Sequence, residues 1–226
     1  MIKKTKVSVS TLPFKQEELI EATKKLKKLG ADYLHCDIMD GKFVKNTTFQ
    51  ADFLKELSNK SALPLDVHFM VENIDEQVDL CKDLKIDCIT FHLESLNLDY
   101  KKCFEMIKKI KSFGYKVGIT TRHNTLMSHY FRYLPIIDEI LIMTVQVGEG
   151  GQGLIEDCLL KVEYFAKLKK ENDYKYIIAV DGGINKTNAF KAVSLGADKI
   201  ITGSYVYNNM NKKEVIKELK NTLKMI

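Results

Sequence analysis

Two aspartates, each at the end of a separate apolar run, are the residues of this sequence best suited to acid–base chemistry. Asp37 lies in the run His35-Cys36-Asp37-Ile38-Met39-Asp40-Gly41, and Asp181 lies in Val180-Asp181-Gly182-Gly183. Two positioned carboxylates can take a proton from one face of a carbon and return a proton to the other. They can do so only if the fold brings the ends of both runs to one pocket.

Histidines accompany these carboxylates. With the two-residue period of a β-strand, one face of each of two predicted strands has polar side chains and a methionine: His35, Asp37 and Met39 on the first, and Asp66, His68 and Met70 on the second. A histidine taken alone is more often a satisfied core or surface residue. Together, however, His35, Asp37, His68 and Asp181 form a nitrogen and oxygen donor set that suits one divalent ion such as Zn²⁺, Fe²⁺, Mn²⁺ or Co²⁺. Such an ion could polarise a substrate carbonyl.

Glycines follow three consecutive predicted strands. Gly148-Glu149-Gly150-Gly151-Gln152-Gly153 follows the sixth strand, Gly182-Gly183 the seventh and Gly203-Ser204 the eighth. Glycine lets backbone N–H groups approach an anion closely, and barrels often bind phosphate after strands seven and eight. Tight turns would explain any one cluster, but three at consecutive strand ends indicate a phosphate site.

Methionines also lie at the strand ends. Met39, Met70 and Met143 allow two interpretations, ordinary packing of a barrel interior or an apolar wall that keeps water away from an intermediate. The sequence leaves both open.

Short apolar runs alternate with amphipathic segments along the whole chain. The predicted strands are Lys6–Val9, Tyr33–Asp37, Leu65–Met70, Cys88–His92, Lys116–Thr120, Glu139–Met143, Tyr176–Val180 and Lys199–Thr202. The predicted helices are Gln16–Leu29, Asp52–Ser58, Asp75–Leu84, Asp99–Phe113, Leu126–Leu134, Glu156–Lys169, Lys186–Leu195 and Lys212–Leu223. This alternation predicts one α/β domain over residues 1–226, a (β/α)₈ TIM barrel whose chemistry lies at the C-terminal ends of the strands.

Composition sets limits on location and partners. The 226 residues are 45% hydrophobic, enough for one sizeable core, and no run approaches the roughly 20 apolar residues of a membrane span. No secretion signal follows the basic N-terminus, so we expect a cytoplasmic protein with no membrane partner and reduced, packed cysteines. The charge of +5 comes from lysines spread over the whole length, which indicates a solvated surface and no nucleic-acid partner.

The combined phrases resemble the ribulose-phosphate 3-epimerase family. The similarity is carried by Ser10-Thr11-Leu12, His35–Val44, Asp66–Val71, Met143–Val145, Gly150–Gln152, Val180–Asn185 and Gly203-Ser204. It extends from Val7 to Tyr207, which is nearly the whole chain.

This resemblance implies a fold, an activity and roles for individual residues. The fold is a barrel of the ribulose-phosphate-binding type, and the activity is epimerisation at C3 of a ketose phosphate through an enediolate that a metal stabilises. Asp37 and Asp181 would act as base and acid and exchange roles in the reverse direction, and both would hold the metal together with His35 and His68. Ser10 and His68 would contact the sugar, and the glycine loops, with Gly148, Glu149, Gly150, Gly151, Gly182, Gly183, Gly203 and Ser204, would hold its phosphate. D-ribulose 5-phosphate, converted to D-xylulose 5-phosphate in the pentose phosphate pathway, is the expected substrate, and a homo-oligomer is the expected assembly.

Three loops depart from the family pattern. The usual Asn-Pro-x-Thr is Thr120-Thr121-Arg122-His123-Asn124-Thr125 here, and Val-Pro-Asn is Val44-Lys45-Asn46. The usual Pro-Gly-Phe-Gly-Gly-Gln is Val147-Gly148-Glu149-Gly150-Gly151-Gln152. A carboxylate at Glu149 would repel a phosphate unless it points to solvent or pairs with a cation such as Arg122. These loops face the substrate, so an epimerase acting on allulose 6-phosphate is an alternative.

Two other classes fit the sequence less well. A decarboxylase of the orotidine-phosphate type needs a lysine in an Asp-x-Lys-x-x-Asp strand end, where this chain has Met39. A non-catalytic barrel that binds sugar phosphates would be marked by the loss of a carboxylate or metal ligand, and none of the four is missing.

Overall fold

Eight parallel strands form a closed barrel in the computed structural model, which describes residues 5–222. The strands are β1 (Lys6–Ser10), β2 (Tyr33–Met39), β3 (Leu65–Met70), β4 (Ile86–His92), β5 (Lys116–Thr121), β6 (Glu139–Met143), β7 (Ile177–Asp181) and β8 (Lys199–Thr202). They are rich in Val, Ile and Leu because both faces of each strand are covered. The predicted (β/α)₈ fold is therefore confirmed, whereas residues 1–4 and 223–226 of the predicted single domain lie outside the described part.

Helices surround the barrel. They are α1 (Leu19–Leu29), α2 (Ala51–Lys60), α3 (Ile74–Leu80), α4 (Tyr100–Ser112), α5 (Leu159–Glu171), α6 (Lys186–Ser194), α7 (Ser204–Tyr207) and α8 (Lys212–Lys220). Side-chain caps define three of their starts, at Asp99, Asn185 and Asn211. Within residues 5–222, no helix has the length and apolar character that crossing a lipid bilayer requires.

One predicted helix, Leu126–Leu134, is wrong. The segment contains only a 3₁₀ turn, Met127–Tyr130, followed by further turns in which the N–H of Tyr133 donates to the carbonyl of Tyr130. Pro135 keeps a helix from continuing past Leu134, because a proline disfavours helical geometry in the residue before it and has no N–H to donate. The buried Tyr130, Tyr133 and Leu134 mimic a helical spacing while filling the space that a helix would occupy.

The helix α7 was not predicted from the sequence. It starts immediately after β8, where barrels often insert a short extra helix. The predicted last helix is present as α8, and its expected end at Leu223 lies outside the described residues.

The main core lies between the strands and the helices. The cysteines Cys36, Cys81, Cys88, Cys103 and Cys158 are all buried with free thiols, as the sequence predicts. Cys36 packs in this layer with its strand neighbours Leu34 and Ile38, away from the polar face of β2.

The lower part of the barrel interior contains a buried cluster of three charges. The Nζ atom of Lys199 lies 2.7 Å from Oδ2 of Asp66 and 2.6 Å from Oε2 of Glu139, and all three side chains are almost fully buried. The lysine therefore compensates two buried carboxylates, and its removal would leave both without this cation.

We predict that Lys199→Met lowers the free energy of unfolding by about 3–5 kcal/mol, because it leaves these buried carboxylates without their cation. Urea denaturation followed by circular dichroism measures the loss. Lys175→Met is the matched control, since Lys175 pairs with Asp173 on an exposed surface. Equal stability of the two variants would show that the buried cluster contributes nothing.

Candidate active site

The C-terminal ends of β2, β3 and β7 bring together the four predicted metal ligands. Oδ1 of Asp37 lies 3.3 Å from Nε2 of His35 and 3.1 Å from Nδ1 of His68. Nε2 of His35 is 3.9 Å from Oδ2 of Asp181. One potential ligand atom from each of the four residues lies within 4.8 Å of the others. Residues distant in sequence thus meet because the barrel closes.

The hydrogen-bond partners of the two ring nitrogens of His35 indicate whether the four residues could hold a cation. Its Nδ1 lies 3.0 Å from Oδ2 of Asp66, so a proton on Nδ1 is donated to that carboxylate. Its Nε2 is buried and has no hydrogen-bond partner within residues 5–222, and it faces Asp37 and Asp181. With its proton on Nδ1, His35 would direct a buried lone pair at Nε2 toward two carboxylates, which fits a divalent ion, and the carboxylate behind it is the partner that metal-binding histidines usually have.

The two candidate catalytic carboxylates differ in their electrostatic surroundings. Burial acts to raise the pKa of Asp37, but the charges and hydrogen bonds of His35 and His68 outweigh it and hold that pKa well below its usual range. Burial, followed by repulsion from Asp37, raises the pKa of Asp181. Ser10 donates a hydrogen bond of 2.8 Å to Oδ2 of Asp37. In the absence of a cation, Asp37 is therefore the ionised partner and Asp181 the one that more readily holds a proton.

Behind His68 lies a second layer of polar side chains. Its Nε2 is 3.0 Å from Nε2 of His92, and Nδ1 of His92 is 3.5 Å from Oε2 of Glu94. Burial lowers the pKa of His92 to about 4, so this imidazole is neutral near pH 7. Burial opposes ionisation of Glu94, but the facing imidazole of His92 and the hydrogen bond from Thr125 outweigh it and lower its pKa to about 2.

A cavity of about 220 Å³ opens above the carboxylates. Its lining includes most of the predicted site residues: Ser10, Asp37, Met39, Met70, Met143, Gly148, Glu149, Gly150, Gly151, Asp181, Gly182, Gly183, Gly203 and Ser204. His35 and His68 are fully buried and are not among the lining residues. The direct contact between His68 and the sugar stays a prediction.

Three methionines form an apolar part of this lining. Met39, Met70 and Met143 are almost fully buried and pack in one cluster with Val44, Leu141, Val145, Val147, Ala179 and Ile201. The two interpretations offered by the sequence are compatible, because the same side chains fill the upper barrel and border the cavity.

The turn after β7 requires glycine at two positions. Gly182 and Gly183 have φ angles of +115° and +65°. A Cβ on Gly182 would lie 2.4 Å from a methyl of Val145, and one on Gly183 would lie 2.5 Å from the backbone nitrogen of Leu154. Thr144 fixes this turn by donating to the carbonyls of Asp181 and Gly182. Only glycine therefore satisfies both the conformation and the space.

Glu149 and Arg122 do not form the ion pair that was one of the two arrangements considered from the sequence. Glu149 is exposed to solvent, which was the other arrangement compatible with a bound phosphate. Arg122 instead lies over the ring of Phe43, 4.4 Å from its centroid, and donates from Nη2 to the carbonyl of Phe43. It thereby joins the loop after β5 to the loop after β2.

Sequence reasoning missed several residues of the site. Leu12, Pro13, Gln146 and Tyr205 line the cavity, although none of them carries a motif for chemistry. Glu94 was missed as well, and its signal was available, because it lies two residues beyond His92 at the end of β4.

Comparison with known proteins places the chain among sugar-phosphate enzymes. A family model described as the ribulose-phosphate 3 epimerase family matches residues 6–207. A ribulose-phosphate 3-epimerase of Treponema pallidum is 36% identical over 193 residues, which cover 85% of this chain and 87% of the relative. The enzyme of that name from Bacillus subtilis is 32% identical over 216 residues, covering 95% and 98%. A chloroplastic ribulose-5-phosphate-3-epimerase of Arabidopsis thaliana is 33% identical over 214 residues, covering 95% and 75%.

Two solved structures with the same architecture are more distant in sequence than these relatives. The 3-hexulose-6-phosphate synthase of Salmonella typhimurium aligns with a TM-score of 0.69 at 17% identity, over 98% of this chain and 99% of that one. Orotidine 5'-phosphate decarboxylase of Pyrococcus horikoshii aligns with a TM-score of 0.67 at 13% identity, over 97% and 100%. These similarities confirm the barrel fold and carry no information on the reaction.

Proposed function

Because the chain belongs to the ribulose-phosphate 3-epimerase family, and is accordingly an epimerase acting on a carbohydrate, we propose that its substrate is D-ribulose 5-phosphate, which it converts to D-xylulose 5-phosphate. The observation that carries this proposal is the meeting of Asp37 and Asp181 beside two imidazoles at the floor of one cavity. Two carboxylates in different electrostatic surroundings are suited to the roles of base and acid.

We propose that His35, Asp37, His68 and Asp181 hold one divalent ion. The free Nε2 of His35 and the mixed nitrogen and oxygen donors support this, and the same donors suit Zn²⁺, Fe²⁺, Mn²⁺ or Co²⁺. When bound, the ion would supply Lewis-acid stabilisation of negative charge on sugar oxygens next to the reacting carbon.

The side chains of the chain itself would carry the proton transfers. Asp37, kept ionised by its imidazole neighbours, would remove the C3 proton, and Asp181 would deliver a proton to the other face. The hydrogen bond from Ser10 holds Asp37 in a fixed orientation. In the reverse direction the two aspartates would exchange roles.

The remaining cavity lining would bind and protect the substrate. Met39, Met70 and Met143 would exclude water from the enediolate. The backbone of the loops after β6, β7 and β8, with Gly148–Gly151, Gly182-Gly183 and Gly203-Ser204, would hold the phosphate, because glycines permit close approach of N–H groups to an anion. The exposed position of Glu149 supports this arrangement, since solvent screens its charge.

Solvent-proton exchange at C3 of ribulose 5-phosphate tests the proposed function, with allulose 6-phosphate as the competing substrate. Turnover of the hexulose phosphate alone would assign the chain to the alternative specificity. A homo-oligomeric state and a cytoplasmic location stay predictions of the sequence.

A further inference from the structure

A chain of buried polar contacts leads from the candidate metal site to the loop after β5. It consists of His68, His92 and Glu94, and it continues to Arg122 and Thr125 of that loop. Oε1 of Glu94 accepts hydrogen bonds from the backbone N–H of Arg122 at 2.9 Å and from the hydroxyl of Thr125 at 2.6 Å. The catalytic chemistry proposed above uses neither His92 nor Glu94.

These contacts influence where the protons of the two imidazoles lie. Nδ1 of His92 and Oε2 of Glu94 are both buried, face each other at 3.5 Å and have no hydrogen-bond partner within residues 5–222. An ionised carboxylate can only accept hydrogen bonds, so Glu94 favours a proton on the facing nitrogen of His92. A neutral His92 with its proton on Nδ1 presents a lone pair at Nε2.

The same reasoning extends to His68. Its Nε2 lies 3.0 Å from the Nε2 of His92, and two nitrogens at that distance need one proton between them. A proton on Nδ1 of His92 therefore draws the proton of His68 to Nε2. In the metal-free chain the ionised Asp37, 3.1 Å from Nδ1 of His68, draws that proton the other way. A divalent ion held by Nδ1 of His68 would take the place of a proton there, and His92 and Glu94 would then complete the hydrogen bonds behind the ligand.

We propose that Glu94 and His92 are positioning residues that favour the tautomer of His68 in which Nδ1 is free to hold a divalent ion. This inference rests on the proposed metal site. It also gives a role to the loop after β5, which differs from the family pattern, because Arg122 and Thr125 hold the carboxylate against His92. Lys161 of α5 supports that loop by donating to the carbonyls of His123 and Thr125.

Glu94→Gln reverses the chain of hydrogen bonds without changing its shape. Arg122 and Thr125 would keep the amide oxygen at the position of Oε1, which places the NH₂ group against Nδ1 of His92. His92 would then accept at Nδ1 and donate from Nε2, and His68 would carry its proton on Nδ1. To bind an ion at Nδ1 of His68, the variant would have to remove that proton and disrupt the reversed chain of hydrogen bonds.

We expect Glu94→Gln to weaken the binding of Zn²⁺ or Mn²⁺ by about 10–100-fold, which is the range for the loss of a partner behind a metal ligand. Isothermal titration calorimetry of each ion against the metal-free protein measures the dissociation constant. Glu72→Gln is the matched control, because Glu72 is an exposed carboxylate that borders the same surface depression as Glu94. Affinity in Glu94→Gln within twofold of the control would overturn the inference.

A measurement on the unaltered chain keeps the test independent of whether the variant folds. In the zinc-loaded protein, ¹⁵N chemical shifts of the imidazole rings should place the proton of His92 on Nδ1 and that of His68 on Nε2. The opposite tautomer of His92 would overturn the inference while leaving the metal site intact. Absence of ion binding by the wild-type chain would instead overturn both the metal site and this inference.

Discussion

Asp37→Asn and Asp181→Asn should each lower kcat by about 10³-fold or more while the protein stays folded. An asparagine occupies the same volume but cannot exchange a proton, and general acid–base catalysis alone is worth about 10²–10⁴-fold. Each substitution also removes a charged candidate ligand from the group that includes His35 and His68. The loss of both contributions explains why we expect an effect toward the upper end of that range.

Turnover of ribulose 5-phosphate, measured at saturating substrate, gives the change in kcat, and circular dichroism reports on the fold. Asp173→Asn is the matched control, because Asp173 is an exposed residue that pairs only with Lys175 among the described ion pairs. Activity within tenfold of wild type in either of the two site variants would refute the assignment of these aspartates as acid and base.

Removal of divalent ions should lower the activity by about 10³-fold or more. Stabilisation of developing charge by a bound cation is worth several kcal/mol, and each 1.4 kcal/mol corresponds to a factor of about ten in rate. Without the ion, the carboxylates would have to remove the proton with no compensation for the charge that forms on the sugar oxygens.

Dialysis against a chelator, followed by assays with Zn²⁺, Fe²⁺, Mn²⁺ or Co²⁺ added back singly, measures this dependence. Recovery of activity with at least one ion, at one equivalent per chain, is the expected result. A chelator-treated protein that contains no metal by elemental analysis and retains full activity would contradict the proposed site.

The arrangement of the candidate ligands was largely predictable from the sequence. The two-residue period of a strand places His35 and Asp37 on one face, and closure of the barrel brings Asp181 beside them. Both relations follow from the sequence pattern and the fold class. The glycine pairs were similarly informative, because Gly182 and Gly183 have backbone conformations that other residues rarely adopt.

Other features depend on contacts that periodicity does not encode. The apolar spacing around Tyr130 and Tyr133 resembles that of a helix, although the segment forms only a 3₁₀ turn and further turns. Asp66 and Glu139 come from different strands, and nothing local in the sequence indicates that Lys199 lies between them. The pairing of Glu94 with the loop after β5 is equally long-range.

The most direct test of the epimerase account is the fate of the C3 proton. The metal-loaded protein would be incubated with ribulose 5-phosphate in D₂O, and deuterium would be followed by NMR. The account predicts xylulose 5-phosphate that carries deuterium at C3, with incorporation at least about 10³-fold slower in the presence of the Asp37→Asn variant. Absence of exchange at C3 with ribulose 5-phosphate, and equally with allulose 6-phosphate, would contradict it.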